Sequence, residues 1–215
     1  MAATYTRPEF VEKYGGFIAK TVKGTGILSG TLIAQAIIES QGKVNGSHRV
    51  GGSTLSQNAN NYFGIKCHNW SGKGYNIDTG EQNPDGTRYI DKNACFRAYD
   101  SVEDSIKDYI KFLKENPRYE KHGVFEAKTV REQAEALKAA GYATSIKYAD
   151  TVTSVYEGVK EYVDKFSTYG VSGVFKSFTN SPMAFIKRNK FAVIGTSVIL
   201  IGIGVGTYLL IKNRK

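Results

Sequence analysis

Acid is missing from the last stretch of this chain, and cysteine and histidine are scarce throughout it. Residues 167–215 carry seven Lys/Arg and no Asp or Glu, whereas residues 1–166 carry 22 Lys/Arg against 20 Asp/Glu. The formal net charge of +9 therefore belongs mainly to the tail, and the larger part is close to neutral. A nucleic-acid partner, which needs a basic face on the folded domain, is not expected. The three histidines, His48, His68 and His122, stand at no metal-ligand spacing, so neither a zinc site nor any other cofactor is expected. Cys67 and Cys95 are the only cysteines. Two buried thiols or one disulfide would both fit, the latter implying an oxidising compartment. No internal repeat is visible. The opening residues lack the basic and apolar regions of a secretory signal.

Charge is also absent from Phe191 to Ile211, a run of 21 residues. As a helix rising about 1.5 Å per residue it matches the roughly 30 Å hydrocarbon core of a bilayer. Lys187, Arg188 and Lys190 precede it, and Lys212, Arg214 and Lys215 follow. A single C-terminal transmembrane helix is therefore expected, with balanced flanks that leave its orientation open. Gly202 and Gly206 have the spacing of small-residue helix packing, which suggests self-association. Gly202, Gly204 and Gly206 do not make a phosphate loop, since no strand precedes them.

What is present in the rest is mostly helical periodicity. Thr6-Arg7-Pro8-Glu9 reads as a capping box opening a helix to about Lys20, with Phe10, Val11, Tyr14, Phe17 and Ile18 as its apolar stripe. Ser29 is the expected cap of a second helix, L-I-A-Q-A-I-I-E-S, which ends on Glu39. An acid closing so apolar a helix is either solvated in the last turn or faces a cleft. In the second case, burial disfavours its charge and keeps the proton available for general acid chemistry. Gln41 to Ser53, rich in Gly and polar residues, reads as a surface loop. Tyr75 to Tyr99 reads as an antiparallel ribbon around the turn Asn83-Pro84-Asp85-Gly86, with A-C-F-R-A-Y as a third extended run. It carries Asp78, Glu81, Asp85 and Asp91, any of which could face Glu39. Asp100 or Ser101 caps a further helix, Thr129 opens another by a capping box, and Gly141 stops it. A long helix then bears Tyr148, Val152, Val155, Val159, Tyr162 and Phe166 on one face, a stripe expected to be core.

Four segments taken in order carry a resemblance: A-Q-A-I-I-E-S, N-N-Y-F-G-I-K, C-F-R-A-Y-D-S-V-E-D-S and G-Y-A-T-S-I-K-Y-A. They resemble the markers of the family-73 glycoside hydrolases, bacterial and phage endo-β-N-acetylglucosaminidases that cut peptidoglycan and share a lysozyme-like helical fold. The resemblance covers roughly Phe17 to Phe166. It implies a mainly α (α+β) domain over residues 1–166 with a small β-ribbon lobe; composition places a linker at 167–186 and the basic-flanked anchor at 187–215 after it. Glu39 matches the catalytic acid. Asn61, Phe63, Gly64 and Lys66 match the block lining the substrate groove, and Tyr142 and Tyr148 match aromatic positions at the cleaved sugar, Tyr142 being taken as catalytic. Glu81 is the better match for the second carboxylate, with Asp78 as the alternative. The cysteines after F-G-I-K and before F-R resemble a disulfide-bearing subset of the family, which favours a Cys67–Cys95 bond. Tyr62 and Trp70 join the candidates for stacking on sugar faces, although plain core packing accounts for such rings equally well. The loop after Glu39-Ser40 is longer than the family's usual one.

The expected activity is hydrolysis of the β-1,4 bond after N-acetylglucosamine in cell-wall glycan. A lytic transglycosylase or a non-catalytic wall-binding membrane protein are the competing readings. The anchor suggests either a tail-anchored envelope enzyme or a lysin carried in a virion membrane for phage entry.

Overall fold

The computed structural model describes residues 2–82 and 87–166, together with the short strands at 193–194 and 197–198. The chain divides into two compact units, Met1–Thr168 and Tyr169–Lys215.

The first unit is organised around a helix that has almost no solvent face. Helix α1 (Arg7–Val22) opens with the expected capping box: the Thr6 hydroxyl accepts from the Glu9 N–H, and the Glu9 carboxylate accepts from the Thr6 N–H. It packs against α2 (Ser29–Ser40), whose Leu32, Ile33, Ala34, Ala36 and Ile37 are all within 1% of complete burial. Ser29 does not cap α2. The N-cap is Leu28, whose N–H donates to the Gln133 side chain, 105 positions away in sequence, at 2.9 Å. An orphan donor at a helix start can be satisfied by any nearby acceptor, and here tertiary packing supplies one that no local pattern shows.

The segment after α2 is a hairpin, not an irregular loop. Strands β1 (Gly42–Val44) and β2 (Ser47–Arg49) pair antiparallel with Val44 opposite Ser47. Asn45 and Gly46 between them both have positive φ, 50° and 79°, as a two-residue turn matched to the strand twist requires. The Asn-Gly pair was the legible signal, and its polar composition hid it. A short helix α3 (Thr54–Ala59) follows, capped by Ser53 and ended by Asn60 in the left-handed region.

The ribbon has two strands, β3 (Gly74–Gln82) and β4 (Arg88–Arg97). The expected third run, A-C-F-R, is the continuation of β4, with Tyr75 opposite Phe96 and Asn76 opposite Cys95. A bulge lies between the Ile77/Ala94 and Thr79/Asp91 pairs, where Asn93 adopts φ 57°. Helices α4 (Val102–Glu115, capped by Ser101), α5 (Pro117–Lys121), α6 (Val130–Ala139, opened by the Thr129 capping box) and α7 (Tyr148–Glu157) complete the unit. Residues 160–166 are again helical. Helix α7 packs on both α2 and α6, and Val152, Val155, Val159 and Val163 enter the core.

In the second unit, β5 (Val193–Ile194) pairs antiparallel with β6 (Ser197–Val198). Apart from these four positions, the expected linker and membrane span lie outside the described residues. Among the described residues no helix is long and apolar enough to cross a membrane.

Candidate active site

Gln35 and Glu39 stand four residues apart on α2, hence one above the other on a single helical face. Gln35 is 1% exposed, while the Glu39 side chain reaches solvent. Burial nonetheless pushes the Glu39 carboxyl up from an ordinary 4.5 to about 7. Glu39 is exposed as a residue, yet the protein around its carboxyl disfavours the charged form. Among the described residues, none donates a hydrogen bond to it. Its charge acts electrostatically on Tyr142 and Tyr148, so these three sequence candidates are brought together.

Beneath Glu39 lies a polar floor of tyrosines. The Tyr109 hydroxyl donates to Gln35 Oε1 at 2.8 Å, and Gln35 Nε2 donates to the Tyr148 hydroxyl at 2.7 Å. Tyr142 donates to the Phe63 carbonyl at 3.2 Å. Its ring meets those of Tyr109 and Tyr148 at 5.9 Å in each case, and Phe63 stacks flat on Tyr109 at 4.1 Å. Burial holds all three phenols protonated, their ionisation raised far above the usual range.

Ser40, the residue after the acid, explains why the E-S pair occurs together. Its hydroxyl donates to the Ala36 carbonyl and accepts from the Gly51 N–H at 3.0 Å, while its carbonyl accepts from the Ser53 N–H at 2.9 Å. The hairpin thus returns to the end of α2 immediately beside Glu39. This residue was missed because a serine at a helix end usually signals only termination.

The segment 61–67 holds the site's second side. Asn61 is 1% exposed, and its amide is spent on the backbone: Nδ2 donates to the Ile65 and Arg97 carbonyls, and Oδ1 accepts from the Phe63 and Ile65 N–H groups. It shapes the loop, and direct contact with a ligand is corrected on that ground. Tyr62, also 1% exposed, is likewise corrected: its ring stacks against Phe10 in the core. Phe63 is buried and acts through its carbonyl and ring, as above. Trp70 is half-buried, with its indole N–H given to the Lys73 carbonyl and its ring under Arg97 and against Tyr99. Those contacts hold the indole at the base of the ribbon. Lys66 pairs with Asp91 of the ribbon at 3.0 Å.

The disulfide expected from the resemblance is present between Cys67 and Cys95. A Cβ at Gly74 would sit 2.8 Å from the Cys95 sulfur, so glycine is required where the ribbon passes the bridge. Arg97 and Tyr99 both bond the Asp108 carboxylate, at 2.8 and 2.7 Å, tying the ribbon's base to α4.

The ribbon's carboxylates are in a different state from Glu39. Asp78 accepts from Lys92 Nζ at 2.6 Å and from the Asn93 N–H of the bulge at 3.0 Å, which together hold its pKa below the ordinary value. Glu81 lies in β3 opposite Tyr89, and Asp85 falls outside the described residues. No cluster of His, Cys, Asp or Glu among the described residues could hold a metal ion.

Glu39, with its carboxyl pKa raised to about 7, closes a buried helix and acts electrostatically on two tyrosines. The family model described as mannosyl-glycoprotein endo-beta-N-acetylglucosaminidase (glucosaminidase) matches residues 17–161. The chain belongs to the glucosaminidase family. Its domain is therefore that of a glycoside hydrolase, mixed α/β and lysozyme-like. The chain is 33% identical over 183 residues to the peptidoglycan hydrolase FlgJ of Vibrio cholerae, a match covering 82% of this chain and 50% of that protein. It is 30% identical over 151 residues to the exo-glucosaminidase LytG of Bacillus subtilis, covering 69% of this chain and 50% of that one. The chain thus spans about half the length of the curated relatives it matches. Among solved structures, a peptidoglycan hydrolase mutant from Sphingomonas sp. A1 aligns with TM-score 0.57 and 30% identity, over 73% of this chain and 97% of that one. The glycoside hydrolase domain of Salmonella typhimurium FlgJ aligns with TM-score 0.53 and 26% identity, over 81% and 98%. The glucosaminidase match runs from within α1 to the last helical segment, so it takes in Glu39, the ribbon and the tyrosine floor.

Proposed function

We propose that this glucosaminidase domain cleaves the β-1,4 bond after N-acetylglucosamine in the glycan strands of peptidoglycan, within the strand, with Glu39 as the proton donor. The observation carrying this reading is the state of that carboxyl. At about 7 its pKa leaves a large protonated fraction at neutral pH, which a leaving sugar oxygen requires. Glu81 is the second carboxylate. It would activate the attacking water, or steady the oxocarbenium-like centre while the substrate's own acetamido group attacks. The alternative, Asp78, is disfavoured because Lys92 and the bulge N–H already use its charge. Tyr142 and Tyr148 contribute hydroxyls and ring edges beside the cleaved sugar, and Lys66 lines the groove as one partner of its ion pair with Asp91. The names of the relatives, peptidoglycan hydrolase and exo-glucosaminidase, support the substrate class.

Digestion of purified peptidoglycan, read by mass spectrometry, tests this. Reducing ends on N-acetylglucosamine, with products several disaccharides long early in the digest, are expected. Anhydro-muramic ends would identify a transglycosylase, and disaccharides released one at a time an exo-acting enzyme. Binding to sacculi without release would mean a non-catalytic wall protein.

We further propose that residues 191–211 anchor the domain in a bilayer, either the bacterial envelope or the membrane of a virion, and that Gly202 and Gly206 bring two copies of the chain together. The length of the uncharged run and its basic flanks support this. Carbonate-resistant membrane association of the full chain, lost on truncation after residue 186, is the expected result.

A further inference from the structure

Strand pairing fixes which way each ribbon residue faces. On β3, Tyr75, Ile77 and Thr79 are half-buried, whereas Asn76, Asp78 and Gly80 between them are exposed. The ribbon therefore has an inner face, turned to the rest of the domain, and an outer one. Opposite the inner residues stand Phe96, Ala94 and Asp91 of β4, the bulge absorbing the extra residue between the last two. Phe96 and Ala94 are buried, and Asp91 reaches Lys66 at 3.0 Å. The next β4 residue on this face is Tyr89, opposite Glu81 and about 7 Å further along the strand than Asp91. There the cover ends. Tyr89 is 47% exposed, and among the described residues its ring meets no hydrogen-bond partner, second ring or cation. Ile90 takes the outer face, opposite Gly80.

A pyranose ring has an apolar C–H face edged by hydroxyls, and a phenol matches it with a flat apolar body and a polar tip. Resting on the reading of this domain as a hydrolase of wall glycan, we infer that Tyr89 is a substrate-binding residue whose ring stacks on a sugar of the glycan strand, on the ribbon face that meets the segment 61–67. The ring continues the face that Asp91 joins to that segment, so a strand lying along the segment runs past it. The stem peptides of peptidoglycan bear carboxylates, and on this face the charges of Lys66 and Asp91 already neutralise each other. The face of a neutral sugar suits the remaining surface better. Because the ring makes no contact that holds the ribbon in place, its work falls on binding the strand and not on folding or proton transfer.

The test is made on the full chain. Tyr89→Thr removes the ring and keeps a β-branched strand former, while Tyr89→Phe keeps the ring without its hydroxyl. Each is placed in wild type, where kcat and KM are read on peptidoglycan. Each is also placed in Glu39→Gln, where cosedimentation reads affinity for sacculi and for glycan strands stripped of their stem peptides. Losing one stacked ring should weaken binding about three- to tenfold. Tyr89→Thr should therefore raise KM and lower affinity for both materials by that factor, with kcat and melting temperature held, and Tyr89→Phe should restore most of the loss. Unchanged affinity and KM in Tyr89→Thr, a loss confined to peptide-bearing sacculi, or a Phe variant as weak as the Thr one would overturn the inference. The same ring-dependent affinity in a protein whose wild type releases no reducing ends would instead remove the glycosidase reading and leave Tyr89 as a glycan contact.

Discussion

Glu39 and Asp78 are carboxylates in two parts of one domain, and their surroundings drive them in opposite directions. Glu39 stands on the helical side, where it is desolvated by neighbouring protein and receives no hydrogen bond from a described residue; its pKa rises to about 7. Asp78 stands on the ribbon, where an ammonium and a backbone N–H hold it as an anion, below its ordinary value. One group is kept from ionising by its surroundings and the other is held as an anion beside the bulge. The comparison teaches that the raised carboxyl pKa comes from withholding partners, which packed helices do more readily than a solvated two-stranded ribbon.

The largest expected effect breaks the helical side of this comparison. Glu39→Gln should lower kcat about a thousandfold or more while sacculus binding persists. Its effect on stability has a definite sign. The folded pKa, about 7, lies above the ordinary 4.5, so the folded state holds the proton more tightly than the unfolded chain. Wild-type stability is therefore full below about 4.5, declines as pH rises toward about 7, and stays lower beyond. The melting temperature of Glu39→Gln lacks this decline and should overtake wild type above pH 7. Wild-type kcat should fall through the same region as the acid is lost, and a flat pH profile there would remove Glu39 from proton transfer.

A second effect tests what holds the ribbon side. Replacing Cys67 and Cys95 with Ser opens a bridge spanning 28 positions. The chain-entropy account assigns about 3–4 kcal/mol to such a loop, seen as a lower denaturant midpoint. The Glu39 titration should not move, because desolvation at the end of α2 and not the bridge raises it. The third and smallest contrast is within the ribbon. Glu81→Gln should cost roughly a hundredfold in kcat, whereas Asp78→Asn should keep activity within about threefold of wild type and only loosen the bulge. The reverse outcome would exchange their roles.

Much of the fold was readable from local signals. The capping boxes at Thr6 and Thr129 and the stop at Gly141 act within one helical turn, so sequence neighbours suffice to predict them. The readings that failed depended on distant partners or on competing local cues. Leu28 serves as a cap because Gln133 arrives from α6, and the Asn45-Gly46 hairpin was masked by polar residues around it. Asn61 was expected to line the groove and Tyr62 to stack on a sugar, yet both side chains turn inward and are consumed by the backbone and the core. Ser40 and Gln35 were legible only as members of A-Q-A-I-I-E-S, since their bonds reach residues 11 and more than 70 positions away.

From its sequence alone, this chain determined where an acid would follow an apolar helix, where a turn would bring a ribbon, and that two cysteines would flank the segment between them. Those are matters of spacing and short-range preference. Only the tertiary structure decided that Glu39 is desolvated while Asp78 is solvated and paired, and that Gln35 joins two tyrosines beneath the acid. A proton's affinity for a carboxyl depends on every dielectric and dipole within several ångströms, and those neighbours come from α2, α4, α7 and the Tyr142 segment, which meet only when the chain has folded.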